Sequence, residues 1–350
     1  MLAFEGEIWV SSDLILPLGK LLVDQGKIVA VGEDIDVPDG VEVKRFDGGE
    51  KILPGFVEPH CHLGLFEEIT GIDNLNIKGQ IVSLDLVAAE YMNFSNIGLF
   101  DCALNGGVTT AGILPGSANL VGGIGSVVKL VGSNEVLVRE SCLKVSLGEN
   151  VTKEHGLGRE HLREALFNFF DDKYDAFRSL PIRVHCHSKE DILLALELKD
   201  KYKLNMILEH LTEGHMLIDE IRESGVKAVT GPFFVGRPKL EMASLDRQLT
   251  SKLLVAGVVT SFMTDYPSNP PDMLKIALLE VIKNGVPKMK AFDMITLGSA
   301  RLLGVADRVG SLEVGKDADI VIHSHSPFEY MDRVMEVYEK GVKITWPDIF

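Results

Sequence analysis

Apolar positions along the chain change their period twice, and the changes divide it into three segments. Up to about residue 52 the runs GEIWV, KLLVDQGKIVAVG and VEVKRFD are short, β-patterned and separated by Gly, Asp and Pro turn signals, which predicts a small sheet. From Ile52 onward, apolar runs rich in β-formers alternate with longer helical stretches. The strand candidates are ILPGFVEP, GVTTAGIL, CLKVSLG, IRVHCH, NMILEH, VKAVTGP and VVTSFMTD, each uniformly apolar, as parallel strands covered on both faces must be. Between them, LFDCALNG, KEDILLALELKDKY, EGHMLIDEIRESG and PDMLKIALLEVIKNG read as helices, acidic near the start and ending in Lys or Gly. After AFDMITLGSARLLG the segment VGSLEVGKDADIVIHSHSP returns to turn-rich β character. Repeated βα alternation predicts an α/β fold whose commonest enzymatic form is the (β/α)8 TIM-type barrel. The expected organisation is a barrel over residues 53–305 and a small discontinuous β-sandwich built from residues 1–52 and 306–350 of both terminal segments.

Composition narrows the function classes. A chain of 350 residues, 46% hydrophobic and 25% charged, can bury a large core. No apolar run reaches the roughly 18 residues of a membrane span, and MLAFEGEIWVSSD lacks the basic stretch and apolar core of a signal peptide. The net charge of −16 argues against nucleic acid, whose phosphates are bound through clustered Lys and Arg. Cys61, Cys102, Cys142 and Cys186 form no CxxC pair, which suits a reducing compartment. The expectation is a cytoplasmic protein with a small-molecule substrate, without nucleic-acid or membrane partners, and open to homo-oligomer formation.

Chemistry concentrates in PGFVEPHCHLG, where His60 and His62 end an apolar strand. Residues two apart share a strand face, so both imidazoles can reach one metal ion. A strand opening with ILPGFVEP and closing with HCH resembles the first barrel strand of the amidohydrolase superfamily, whose members carry two metal ligands in a PGxxxxHxH pattern. GSLEVGKDADIVI is similar to that superfamily's return into its small β domain, and the SANxxGGxG and GEN stretches resemble an imidazolonepropionase-related subgroup. The resemblance covers nearly the whole chain. It implies further ligands at the ends of the fifth, sixth and eighth strands, met here by His185, His210 and Asp265. His187 shares the face of His185 and is expected to support a ligand or contact substrate. His155, His161, His215, His323 and His325 fall in helical or tail segments and are left as structural.

The resemblance also implies a bridging group from strand three or four in binuclear members, a glutamate or a carboxylated lysine. CLKVSLGEN contains both Lys144 and Glu149, which have opposite parity on a regular strand. Glu149, at the expected depth beside Gly148, is favoured; a carboxylate at a helix start is the alternative. PGSANLVGGIGS lacks the Lys-Ser or Lys-Thr of a phosphate loop and is expected to be a flexible substrate loop. In GPFFVGRPKLE, Arg237 and Lys239 are cations near the expected mouth that could bind a substrate carboxylate. Only 36 positions separate Glu149 from His185, so strand four is expected to be irregular, near YDAFRSL.

Such a ligand set implies one or two divalent metals per chain, zinc first, with iron, manganese or cobalt as alternatives. The implied activity is hydrolysis of the C–N bond of an amide or cyclic amide by metal-activated water, with Asp265 as proton shuttle. A deaminase or dipeptidase on the same barrel is the alternative within the enzyme class. A non-catalytic assembly protein is the alternative outside it.

Overall fold

The computed structural model describes residues 1–67 and 69–347. Its strands fall into two sheets. β1 (Leu2–Ser11), β2 (Leu14–Asp24), β3 (Lys27–Gly32) and β4 (Glu42–Pro54) come first; β5 (Phe56–Cys61), β6 (Val108–Ile113), β7 (Val121–Lys129) and β8 (Val136–Ser146) follow. β9 (Ile182–Cys186), β10 (Met206–His210), β11 (Lys227–Thr230) and β12 (Thr260–Phe262) complete the middle of the chain, and β13 (Ile320–His323), β14 (Val334–Glu339) and β15 (Val342–Lys343) end it.

Strands β5 to β12 form an eight-stranded sheet in sequence order. Every residue of β5, β6, β9 and β10 is buried, the pattern expected of strands covered on both sides. The two ends of this sheet meet at one rim, where Asp265 N donates to His60 O (3.3 Å) and His62 N donates to Tyr266 O (3.1 Å). The result is a nearly closed barrel. Helices cover it outside; in Lys189–Tyr202, Ser188 caps the N-terminus, Glu190 and Asp191 open the first turn, and Ile192, Leu194, Ala195 and Leu198 face inward.

One strand departs from a regular (β/α)8 plan. β7 runs antiparallel to both β6 and β8, with no helix between the three. This strand, VGGIGSVVK, begins inside the glycine-rich stretch expected to be a flexible loop and runs three residues past it. Gly123, at φ +114°, explains the misreading: a Cβ there would meet Leu86 O, so glycine is needed for close packing of backbone rather than for mobility. β7 also accounts for the short 150–184 region. YDAF is a single 3-10 turn (Tyr174–Phe177), not a strand, and the region holds the helices Glu149–His155 and Arg159–Asp172.

The terminal strands join one sheet of order β15-β14-β13-β4-β1-β2-β3, a continuous sheet in place of the two facing sheets of a sandwich. β4 pairs with both β1 and β13, so strands from both ends of the sequence share one ladder. Phe4, Ile8, Leu21, Ile28, Ile320, Ile322 and Tyr338 make its core. Among the described residues no helix is long and apolar enough to cross a membrane.

Barrel and sheet are tied by buried charges. Lys129, fully buried at the end of β7, lies 2.6 Å from Asp319 and 2.9 Å from Asp317. Asp317 also pairs with Arg308 (2.7 Å) and Lys27 (2.6 Å), and Arg308 reaches Glu135 in the β7–β8 turn (3.1 Å). Removing one partner from a buried pair leaves its counter-charges without compensation. Lys129→Met should therefore cost about 3–5 kcal/mol, seen as a melting temperature several degrees lower, whereas the exposed pair partner Lys343→Met should change little; equal melting temperatures would contradict the tie.

Candidate metal centre

The ligand-bearing residues converge because parallel strands bring their C-terminal ends to one rim. His60 and His62 end β5, His185 and His187 end β9, His210 ends β10, and Asp265 follows β12. Two clusters result, His60 with His62 and Asp265, and His185 with His187 and His210, the ligand atoms of each lying within 4.8 Å of one another. Asp265 Oδ1 is 3.5 Å from His60 Nε2 and 3.4 Å from His62 Nε2. The clusters adjoin: the His60 and His210 ring centroids are 5.8 Å apart, and those of His185 and His210 are 4.3 Å apart.

Four of the five rings are fixed from behind. His60 Nδ1 donates to Glu209 Oε2 (2.8 Å), His62 Nδ1 to Leu114 O (2.7 Å) and His210 Nδ1 to Gly231 O (2.9 Å), while His187 Nδ1 shares a hydrogen bond with Thr212 Oγ1 (2.7 Å). Tying Nδ1 this way presents the Nε2 lone pair, the arrangement of metal-ligating histidines. The Nε2 atoms of His60, His185 and His210 are buried and have no hydrogen-bond partner among the described residues. A buried polar atom without a partner costs about 1–3 kcal/mol, so three together call for a ligand. Imidazole nitrogen and carboxylate oxygen are the donors that divalent zinc, iron, manganese or cobalt accept. The residues present fit such ions.

Backbone conformation contributes. His210 and Asp265 adopt left-handed φ of 67° and 52° at the ends of their strands. Such positions cost a non-glycine residue about 1–3 kcal/mol each and persist where surroundings over-determine them. Asp265 is held by its own amide on His60 O and by Ser268, whose hydroxyl donates to Asp265 Oδ2 (2.9 Å).

Burial depresses the basicity of His60, His185 and His187, and that of His210 to a smaller degree, with the nearby Lys144 charge adding to the effect in each. The rings are held in the neutral, ligating form. For Asp265, burial works to raise the pKa, but the hydrogen bond from His62 leads the opposing influences and the carboxyl lies well below its ordinary range.

Lys144 and Glu149 exchange places relative to the sequence expectation. Glu149 does not reach either cluster. It is the first residue of the helix Glu149–His155, with its carboxylate on Lys153 Nζ (2.6 Å) and on the amide of Glu241 (3.0 Å). β8 ends at Ser146, three residues earlier, so the helix start carries Glu149 away. Lys144 is 1% exposed inside the barrel, opposite Gly123 of β7 and Arg183 of β9. Its charge acts on His60, His185, His187, His210 and Asp265, and burial lowers its own pKa despite Glu209 and Asp265. His187 stands within the second cluster rather than outside it. Lys239 lines the pocket over the centre; Arg237 is exposed and outside that lining.

Three buried charges beneath the ligands had gone unremarked in the sequence. Glu209 joins His60 to Arg183 Nε, and Arg183 Nη1 donates to Pro59 O (2.7 Å). Glu58 accepts from His60 N (3.1 Å) and Thr264 N (3.1 Å), and burial pushes its carboxyl up to about 8. The signal was available: in FVEPHC, IRVHC and MILEH a charged residue interrupts a strand otherwise apolar or histidine-bearing.

Above the centre lies a pocket of about 540 Å³. Asn76, Ser117, Asn150 and Ser268 give it hydrogen-bonding groups, and Leu75, Val235 and Met242 give it apolar wall.

The sequence profile of the amidohydrolase family matches residues 52–342. The fold is similar to that of an amidohydrolase from Thermotoga maritima, with a TM-score of 0.93 and 29% identity over 99% of this chain and 100% of that one. An imidazolonepropionase of Symbiobacterium thermophilum is 24% identical, covering 93% of this chain and 90% of its own length. Amidohydrolase tasK of Hapsidospora irregularis is 23% identical over 93% of this chain, which spans only 39% of that larger protein.

The suppressed histidine basicities have a consequence for the metal-free protein. Below the ordinary imidazole pKa of 6.5 the unfolded chain takes up protons that the buried rings refuse. Stability is then linked to pH with a positive slope. The raised Glu58 carboxyl acts in the opposite sense between 4.5 and about 8, but below 6.5 several rings outweigh one carboxyl. Chelator-treated protein should therefore lose melting temperature as pH falls from 6.5 toward the lowered folded-state values; a flat profile across that window would contradict the burial argument.

Proposed function

Since the chain belongs to the amidohydrolase family and is a hydrolase of carbon–nitrogen bonds, we propose that it cleaves an amide or cyclic amide of a small molecule with water at the two adjoining clusters. The observation that carries this reading is the convergence of buried, partnerless Nε2 atoms with Asp265 beneath one pocket. His60, His62 and Asp265 would hold one divalent ion, and His185 and His210 a second, with zinc the first choice and His187 close enough to contribute. Bound ions supply Lewis acidity, polarising the scissile carbonyl and lowering the pKa of water from 15.7 to roughly 7.

The chain's own groups do the rest. Glu209, Leu114 O and Gly231 O orient the rings. Asp265, kept ionised, accepts a proton from water as its oxygen attacks the carbonyl carbon, then delivers that proton to the departing nitrogen when the C–N bond breaks. Lys144, in place of Glu149, is the bridging candidate. Burial favours its neutral amine, which could attack carbon dioxide to form an N–C bond and release a proton, and the resulting carbamate would offer oxygen ligands to bound ions. A cytoplasmic setting is supported by four cysteines that are all buried and unbonded.

Elemental analysis of protein purified without chelator tests the ligand set. Lys144→Ala should lower metal content toward one per chain and Glu149→Gln should leave it intact; the reverse would return the bridge to Glu149. Asp265→Asn is nearly isosteric and should reduce kcat by about 10²–10⁴-fold with the fold and most metal retained. Turnover within about threefold of the parent, with metal bound, would remove the proton-shuttle role.

A further inference from the structure

Two lysines on the pocket lining, Lys153 and Lys239, stand against two carboxylates behind it, Glu149 and Glu241, and the chemistry above uses none of the four. Glu149 and Glu241 clasp each other reciprocally: Glu241 N donates to Glu149 Oε1 (3.0 Å), and Glu149 N donates to Glu241 Oε2 (2.8 Å). Gly148, at φ +101°, permits this approach, because a Cβ there would strike Glu241 Oε2. The clasp joins the segment after β8 to the segment after β11.

Each clasped carboxylate faces a lysine on the pocket lining. Lys153 Nζ donates to Glu149 Oε2 at 2.6 Å. Lys239 Nζ lies 3.6 Å from Glu241 Oε1, beyond hydrogen-bond range. Glu241 Oε1 is buried and accepts no hydrogen bond. The ammonium of Lys239 is therefore placed by charge but left without a hydrogen bond among the described residues, and its side chain is only 21% exposed. Its charge reaches His185 and His187, which puts it at the inner part of the pocket.

We propose that the pocket selects amides carrying a carboxylate, which Lys239 binds directly and Lys153 assists from the same lining, with Glu149 and Glu241 as the residues that position both lysines. The inference rests on the amide-hydrolase reading for its substrate class. An ammonium with free donors in a partly desolvated site gains a charge-assisted hydrogen bond from an anion, and Leu75, Val235 and Met242 can cover the organic remainder.

Calorimetric titration of the metal-loaded protein with N-acetylglycine and with its neutral counterpart N-acetylglycinamide tests this without requiring turnover. Failure to hydrolyse any amide would count against the proposed reaction, whereas the anion preference is read from binding alone. The parent should prefer the acid. Lys239→Met should weaken acid binding by about 10–100-fold, the range for a hydrogen bond to a charged group, and erase the preference. Lys239→Arg should restore most of it, with metal content unchanged in both variants. Equal binding of acid and amide by the parent, or neither binding, would overturn the proposal. So would undiminished acid binding by Lys239→Met, which would place the carboxylate on the metals, and so would loss of metal from that variant.

Discussion

Packing five imidazoles around one end of a barrel demands control of ring orientation, and the Nδ1 hydrogen bonds of His60, His62, His187 and His210 supply it for four of them. Their acceptors come from different elements: a carboxylate on β10, the carbonyls of Leu114 and Gly231, and the hydroxyl of Thr212. The geometry of the centre is thus a property of the whole rim. Glu209 extends the constraint downward, since it binds His60 on one side and Arg183 on the other, while Arg183 returns to the backbone of Pro59 next to His60. The loop of contacts closes on β5, the strand that must also meet β12 for the barrel to complete itself.

The sequence displayed the strand ends well and the third strand's surroundings poorly. HCH twice, EH once and TD once mark four positions where an apolar run stops on a ligand-type residue, and all lie at the rim. Glu149 failed as a candidate because depth along a strand was inferred from residue count, and the strand stops at Ser146 to let a helix begin. Lys144 lies on β8 itself while Glu149 belongs to the helix that follows, so strand parity does not relate the two. Strand β7 was hidden because glycines, read as flexibility, serve there to admit neighbouring backbone. Buried Glu58, Arg183 and Glu209 were visible as charges inside apolar runs, and a charge in such a run needs a partner across the barrel.

Charge inside this protein has two distinct uses. Around Lys129 the groups are fully paired: each acid meets at least one base, and the pairs join the barrel to the terminal sheet. Beneath the pocket the pairing is incomplete among the described residues, since Lys239 and three imidazole nitrogens keep unfilled positions. The first arrangement fixes structure, and the second leaves bonding capacity for molecules that arrive from outside.

The reversed direction of β7 has a geometric consequence of its own. A parallel strand delivers one loop to the rim and one to the floor, linked to its neighbours through helices. An antiparallel strand between two others instead makes a hairpin at each end. The upper one, residues 114–120, supplies Leu114 O to His62 and Gly116, Ser117 and Ala118 to the pocket. The lower one carries Ser133 and Glu135 into contact with Glu339, Arg308 and Lys340 of the terminal region. The upper hairpin thus does two jobs at once, since the turn that orients His62 through Leu114 O also forms part of the pocket wall, and Asn150 and His155 of the helix Glu149–His155 hold it through Ser117 and Ala118. A change in that turn reaches ring orientation and pocket shape together, while the far end of the nine-residue strand stays fixed to the terminal sheet.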